Sequence, residues 1–342
     1  MTAALLARDP GPSTTLQDLG RTGWQRFGVP QSGAMDVAAH RAANALVGNP
    51  PGAATLEFTL LGGAWEVACD GARLAVAGGA FAVTIDGAPA AAWRSFTLRR
   101  GQVLAVGAAR DAARGYIAVA GGFALAPVMG SLSTHVRSGI GGFRGRAIAA
   151  GDALPLARAT PPEGPELALD PLPPRAGLAR VVMGPQDDYF SEAAQAAFLA
   201  APYAVTSQAD RMGYRLAGPA VAHARGFNII SDAIALGSVQ VPGTGQPIVL
   251  LADRQTTGGY PKIATVIAPD IRELAQARPG EEVRFAAVGQ REALALHRAW
   301  AAALDGLPLR CRPVAGGDGL FAAERLLALT LIDGMVDARR PE

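Results

Sequence analysis

The stretch QPIVLLADRQTTGGYPKIATVIAP, Gln246 to Pro269, sets two apolar runs around a loop carrying Asp253, Arg254, Gln255, Thr256, Thr257, Gly258, Gly259, Tyr260 and Lys262. Lys262 is the only lysine among 31 basic residues. Where positive charge alone is needed the chain uses arginine, so the surviving lysine is a candidate for work a guanidinium cannot do, that of a compact charge with a tunable proton. A turn needs the glycines; it does not need Asp, Gln, two Thr, Tyr and the lone Lys together. Such a set offers many amide-type donors and acceptors and little net charge. It suits a neutral polar ligand with N–H and C=O edges, such as a urea, a lactam or a ureido ring. Lys262, Asp253, Gln255 and Tyr260 are the candidate catalytic residues, and Thr256, Thr257, Gly258 and Gly259 the candidate binding residues. The alternative is a plain turn between strands.

Two further polar, glycine-rich constellations stand elsewhere. QDLGRTGWQRFGVPQSGAMD, Gln17 to Asp36, runs into a helical pattern, and Ser32 and Gly33 could present backbone N–H groups there as an anion or carbonyl pocket. A turn with an N-cap explains the same residues equally well. In ADRMGYRL, Arg211 and Arg215 could clamp a carboxylate or decorate a strand.

Several chemistries have no support. A phosphate-binding P-loop requires Gly-Lys before Ser or Thr, whereas Lys262 lies between Pro261 and Ile263. In the run Gly139 to Arg146, Arg144 stands where a dinucleotide fingerprint needs its third glycine. His40, His135, His223 and His297 show no metal-type pairing, so no metal site is expected. No nucleophile elbow of the GxSxG type occurs.

The elements that must position these residues are mostly strands. The 342 residues, half of them hydrophobic, are enough for two domains with proper cores. Short apolar runs bounded by Gly, Pro or Asp-Gly turns predict a mainly β protein with a few helices, Ile85-Asp86-Gly87-Ala88 being a hairpin signal. Glycine and a polar residue precede an apolar strand at Gly101, Gly151 and Gly280, a weak internal echo suggesting two β-barrel-like domains. Proline density divides residues 1–154 from a second domain at 177–290, with 155–176 as linker and 291–342 as a helical segment. Helices are expected at 37–46, 191–199, 270–277, 292–304 and 321–336.

The net charge of +2, without basic runs, gives no nucleic-acid footprint. Cys69 and Cys311 read as free thiols, and no run is long enough to span a membrane. MTAALLARDPGP lacks the charged start of a secretory leader, so the expected location is cytoplasmic.

The motif DRQTTGGYPKIATV, preceded by SDAIALGSVQVPGTGQPIVLLA and followed by LAQARPGEEVRF, resembles the biotin-dependent carboxyltransferase family. Within it the likeness is to the KipA group, the C component of ATP-dependent 5-oxoprolinases, also called allophanate hydrolase subunit 2. TTLQDLGRTGWQRFGVPQSGAMD, ANALVGNPPGAATLE and GYIAVAGGFALAPVMGSLSTH carry the same resemblance, which covers nearly the whole chain. It implies a cyclophilin-like C-terminal barrel, KipI-like and LamB/YcsF-like proteins as partner subunits, and ATP bound by or with those partners. The activity implied is opening of 5-oxoproline to glutamate. An alternative is half of a carboxyltransferase moving CO2 from carboxybiotin to urea or a related amide, as in urea amidolyase. Pro261-Lys262-Ile263 is not a biotin attachment site, so biotin would ride on a separate carrier. A third reading is a KipA-type regulator that binds a KipI-like kinase inhibitor. In either enzyme, the backbone N–H groups of Gly258 and Gly259 with Lys262 would hold a developing oxyanion; in the oxoprolinase, Arg211 or Arg215 would bind the substrate carboxylate.

Overall fold

The computed structural model describes residues 3–314. In its N-terminal half a six-stranded and a seven-stranded sheet share one core, to which Leu5, Trp65, Val83 and Leu104 contribute from the first and Leu56, Leu74, Phe96 and Ile117 from the second. Strands Gly71–Ala77 and Arg114–Val119 are buried along their whole length because both faces of the seven-stranded sheet are covered. Leu74, Val76, Ile117 and Val119 point between the sheets, while Ala75, Ala77, Tyr116 and Ala118 face helix α1 (Val37–Leu46) on the other side. The period of two along each strand sends alternate residues to the two cores. Small residues dominate the helix side, which lets an alanine-rich helix dock closely. Asp36 caps α1, its Oδ1 accepting from Ala39 N at 3.0 Å.

The C-terminal half closes into a seven-stranded barrel in the order Leu178–Met183, Lys262–Val266, Ser238–Gln240, Ile248–Leu250, Gly213–Ala217, Tyr203–Ala209, Glu282–Ala287. Every neighbour is antiparallel except Leu178–Met183 with Glu282–Ala287, the parallel pair that closes the ring. Helices α2 (Glu192–Ala200) and α3 (Ile271–Ala275) contribute Phe198, Ile271 and Leu274 to its core, where Phe198 stacks on Phe285 at 4.8 Å. So of the two barrel-like halves expected, the second is a closed barrel and the first is a pair of stacked sheets.

The expected turns form. Asp86 and Gly87 both take positive φ, 49° and 82°, between Phe81–Ile85 and Ala88–Ala90, as a two-residue hairpin with right-handed twist demands. Gly101, Gly151 and Gly280 are each left-handed just before a strand. The proline-rich segment does not swing free. Its Leu167–Ala168 joins the seven-stranded sheet, and Arg73 donates to the carbonyls of Gly164 and Pro165. Helices α4 (Gln290–Asp305) and α5 (Leu307–Arg310) return to the N-terminal half, where Leu304 and Leu307 complete the core under α1. Strand Arg312–Pro313 then pairs with Leu167–Ala168 at the sheet edge. The helix expected at 321–336 lies outside the described residues.

Buried polar groups join the halves. Gln276 donates to Asp36 Oδ2 at 2.9 Å and to Arg114 O at 3.0 Å, and its Oε1 accepts from Ala113 N at 3.2 Å and Arg114 N at 2.8 Å. Met35 crosses from the N-terminal half into the barrel core.

Candidate functional site

The loop after Ile248–Leu250 is held from both ends. At its start Arg254, buried, donates to Ile234 O at 3.1 Å and Leu251 O at 3.3 Å, and burial without a carboxylate partner lowers its pKa to about 10. Further on, Thr257–Gly258 pairs with Asp232–Ala233, Ile234 N donates to Thr256 O at 3.1 Å and Ile229 N to Gly259 O at 2.8 Å. Residues 229–234 therefore lie along the loop as a second layer. Gly258 is required by this approach, since a Cβ there would sit 2.6 Å from Gln240 Nε2 and 2.7 Å from Ile234 Cδ1. Thr256 is half-buried and Thr257 exposed.

Lys262 opens strand Lys262–Val266 and is 1% exposed. Its Nζ donates to Asp232 Oδ2 at 2.6 Å and Ala233 O at 3.1 Å. Gln186 closes the group, accepting from Lys262 N at 3.2 Å and donating to Asp232 Oδ2 at 3.2 Å. The ammonium, followed by the Ala233 N–H, holds the Asp232 carboxyl below its ordinary range. Two of the three N–H donors are engaged, because the second layer places a carboxylate and a carbonyl over the strand where Lys262 emerges.

Arg211 is likewise taken up internally. Its Nε and Nη2 donate to Asp253 Oδ2 at 2.9 Å and Oδ1 at 3.0 Å, Nη2 also donates to Gly33 O at 2.7 Å, and Nη1 pairs with Glu57. Burial works against the Asp253 charge, but Arg211 outweighs it and keeps the carboxyl low. Arg211 and Asp253, expected to clamp and orient a ligand, instead tie the barrel to the first half. The N–H pocket expected at Ser32 and Gly33 does not form as such. Gly33 N donates to Gln17 Oε1 at 3.2 Å, Ala34 N to Asp18 O at 2.8 Å and Met35 N to Glu57 Oε2 at 2.8 Å. Ser32, at φ 56°, is buried with its hydroxyl beside the Asp253 carboxyl.

Gln255, Tyr260 and Arg215 do come together, on a cavity of about 540 Å³ that Gln240, Arg137 and Met212 also line. The Gln255 Oε1 is buried and receives no hydrogen bond from a described residue. Gln240 Nε2 leans on Tyr260 O at 3.4 Å, and Tyr260 is 40% exposed at the rim. Arg215 is exposed on strand Gly213–Ala217, and Arg137 reaches, among the described residues, only Met212 Sδ, at 3.4 Å. The cavity thus offers an unfilled acceptor, amide groups and two guanidiniums, a set that can hold a small amide bearing an acidic group. Sequence reasoning missed Arg137 and Glu57. Glu57 ends the quoted segment ANALVGNPPGAATLE and Arg137 lies two residues past GYIAVAGGFALAPVMGSLSTH, but each joins the site only through contacts distant in the chain. No group of three or more His, Cys, Asp or Glu among the described residues could hold a metal ion, and no described helix is long and apolar enough to cross a membrane.

A closed barrel fused to a covered two-sheet half, with a polar pocket on the barrel's strands, defines a two-part β protein. The chain belongs to the family of the carboxyltransferase domain, subdomain A and B, whose model matches residues 27–287. It is 39% identical over 284 residues to the C component of the 5-oxoprolinase of Haemophilus influenzae, covering 83% of this chain and 91% of that one. Urea amidolyase of Saccharomyces cerevisiae is 28% identical over 325 residues, which are 88% of this chain and 18% of that protein. The crystal structure of the K. lactis urea amidolyase superposes with a TM-score of 0.84 at 28% identity, over 90% of this chain and 20% of that chain. The chain therefore spans about a fifth of that solved protein.

Proposed function

We propose that the chain is one subunit of an ATP-dependent 5-oxoprolinase-type complex that opens 5-oxoproline to glutamate, working with KipI-like and LamB/YcsF-like partners. The observation that carries this reading is the cavity at Gln255. Its buried Oε1 lacks a donor, which a lactam N–H supplies, and Arg215 stands at the same cavity for a carboxylate. 5-Oxoproline has both groups on one small ring. The likeness to a 5-oxoprolinase component over most of both chains supports it. In this reading Gln255 and Gln240 orient the amide, Tyr260 closes the rim, and Arg215 sets the ring's register. Nucleotide is bound by or with the partner subunits, which complete the pocket.

Carboxyl transfer from a biotin carrier to urea is the second reading, favoured by the family and by the urea amidolyase relatives. Urea carries no carboxylate, so Arg215 would then have no ligand partner. The experiment is reconstitution with the two partner subunits, reading glutamate release against ATP and 5-oxoproline. Release that requires this chain and falls at least tenfold in kcat/KM in Gln255→Leu sustains the proposal. A complex inert with 5-oxoproline that carboxylates urea in the presence of biotinylated carrier overturns it.

A further inference from the structure

A second cavity, of about 600 Å³, opens between the two halves and shares Arg137, Asp210 and Met212 with the first. The N-terminal half lines it with Thr15, Thr59, Arg114 and His135, and the barrel with Arg211 and Asp253. What distinguishes this cleft is an imbalance between acceptors and donors. Both Asp253 oxygens are held by Arg211, and Asp210 Oδ1 accepts from Met212 N at 2.7 Å and Gly213 N at 3.1 Å. Thr59 Oγ1 accepts from Arg114 Nη1 at 2.8 Å, and Thr15 Oγ1 from Gln17 Nε2 at 3.0 Å.

The donors are not matched in the same way. Arg114 is 3% exposed, yet its Nε has no partner among the described residues, and His135, 5% exposed, lines the same cleft beside Asp253. Among the described residues Arg137 has only the weak sulfur acceptor, and each threonine hydroxyl keeps its proton free to turn toward the cleft. Leaving the buried Arg114 Nε–H unmatched costs about 1–3 kcal/mol, so the lining favours a ligand rich in acceptors. The volume is that of a small-molecule site.

We propose that this cleft binds a small oxyanion, of the phosphate or carboxylate class, through Arg137, Arg114 and His135 with the hydroxyls of Thr15 and Thr59. Arg114 and His135 form the floor, rigid because both are buried, and the exposed Arg137 closes over the ligand from the rim. A ligand here touches both halves at once, so its binding stabilises their contact.

The test titrates inorganic phosphate and, separately, acetate into the full chain by calorimetry, at ionic strength held constant with chloride. Saturable binding is expected, with a change in the His135 ring signal by NMR and a rise in thermal midpoint with anion concentration. Arg137→Gln weakens it about tenfold or more, while Arg215→Gln, which alters the other cavity, leaves it unchanged. Tighter phosphate assigns the phosphate class, and tighter acetate the carboxylate class. Absence of saturable binding by both anions overturns the proposal, as does binding untouched by Arg137→Gln or lost in Arg215→Gln. Arg137 is exposed, so its variant remains informative where His135→Gln fails to fold. The measurement uses this chain alone and stands apart from the reading of the first cavity.

Discussion

Lys262 Nζ lies 2.6 Å from Asp232 Oδ2, so the one ammonium of the chain is bound to a carboxylate carried by the segment that covers its loop. Lys262 acts in the structure as a clasp on residues 229–234. Its replacement by Met keeps the buried stem and removes the clasp. The amides of Ile229 and Ile234, which donate across the layer, are then expected to exchange with solvent about tenfold faster, while the barrel core amides keep their protection. Hydrogen exchange read by mass spectrometry or NMR checks it. Unchanged exchange would remove the clasp role.

Arg211 holds two carboxylates from opposite halves, Glu57 and Asp253, and all three are largely buried. Arg211→Met leaves both acids without their partner and is expected to destabilise by about 3–5 kcal/mol in urea denaturation. A loss below about 1 kcal/mol would contradict the pairing.

The same pair sets an acid limit. The Asp253 carboxyl is held low in the folded chain, so its contribution is complete above the ordinary carboxylate range and disappears as pH falls through that range toward the lowered folded value. The thermal midpoint should fall with acid in the native chain. In Asp253→Asn that part of the slope is absent, although the midpoint at neutral pH is already lower.

The Gln276 side chain makes five hydrogen bonds across the junction. Gln276→Leu has similar volume but strands the Ala113 and Arg114 amides and leaves Asp36 with fewer donors. A loss of about 2–4 kcal/mol is expected by urea unfolding. Gln276→Glu, which keeps an acceptor for the two amides but sets a carboxylate against Asp36, should also destabilise.

In a reconstituted complex, Arg215→Gln is expected to raise KM for 5-oxoproline about tenfold with kcat little changed, since a binding contact made equally in ground and transition states moves KM alone. The same variant tested with a lactam lacking the carboxylate should match the native chain. Equal losses on both substrates would place Arg215 outside the binding site.

Local signals in the sequence proved readable. Asp36 capping α1, the Asp86-Gly87 hairpin and the glycines ahead of strands are all dictated within a few residues, by capping chemistry or by positive φ. Of the polar loop, Gln255 and Tyr260 share a cavity, while Asp253 and Lys262 pair within the chain. What escaped was pairing at long range. Asp232 and Glu57 both stand in the quoted motifs, yet nothing in the sequence assigns the first to Lys262 or the second to Arg211. A solitary basic residue reads as available until the fold brings an acid to it. Arg137 escaped for the opposite reason: it stands in a short 3-10 turn without a motif, and only the closed barrel gives it a cavity to face.

The edge strand Arg312–Pro313 and the pair Leu304 and Leu307 have an implication for synthesis. They finish a sheet and a core begun some hundreds of residues earlier in translation. While the barrel is still emerging from the ribosome, the nascent first half holds an apolar alanine face and an open sheet margin to the surroundings. Its maturation is thereby deferred to the arrival of the helices that follow the barrel, and a chain stalled before them is the form most exposed to aggregation.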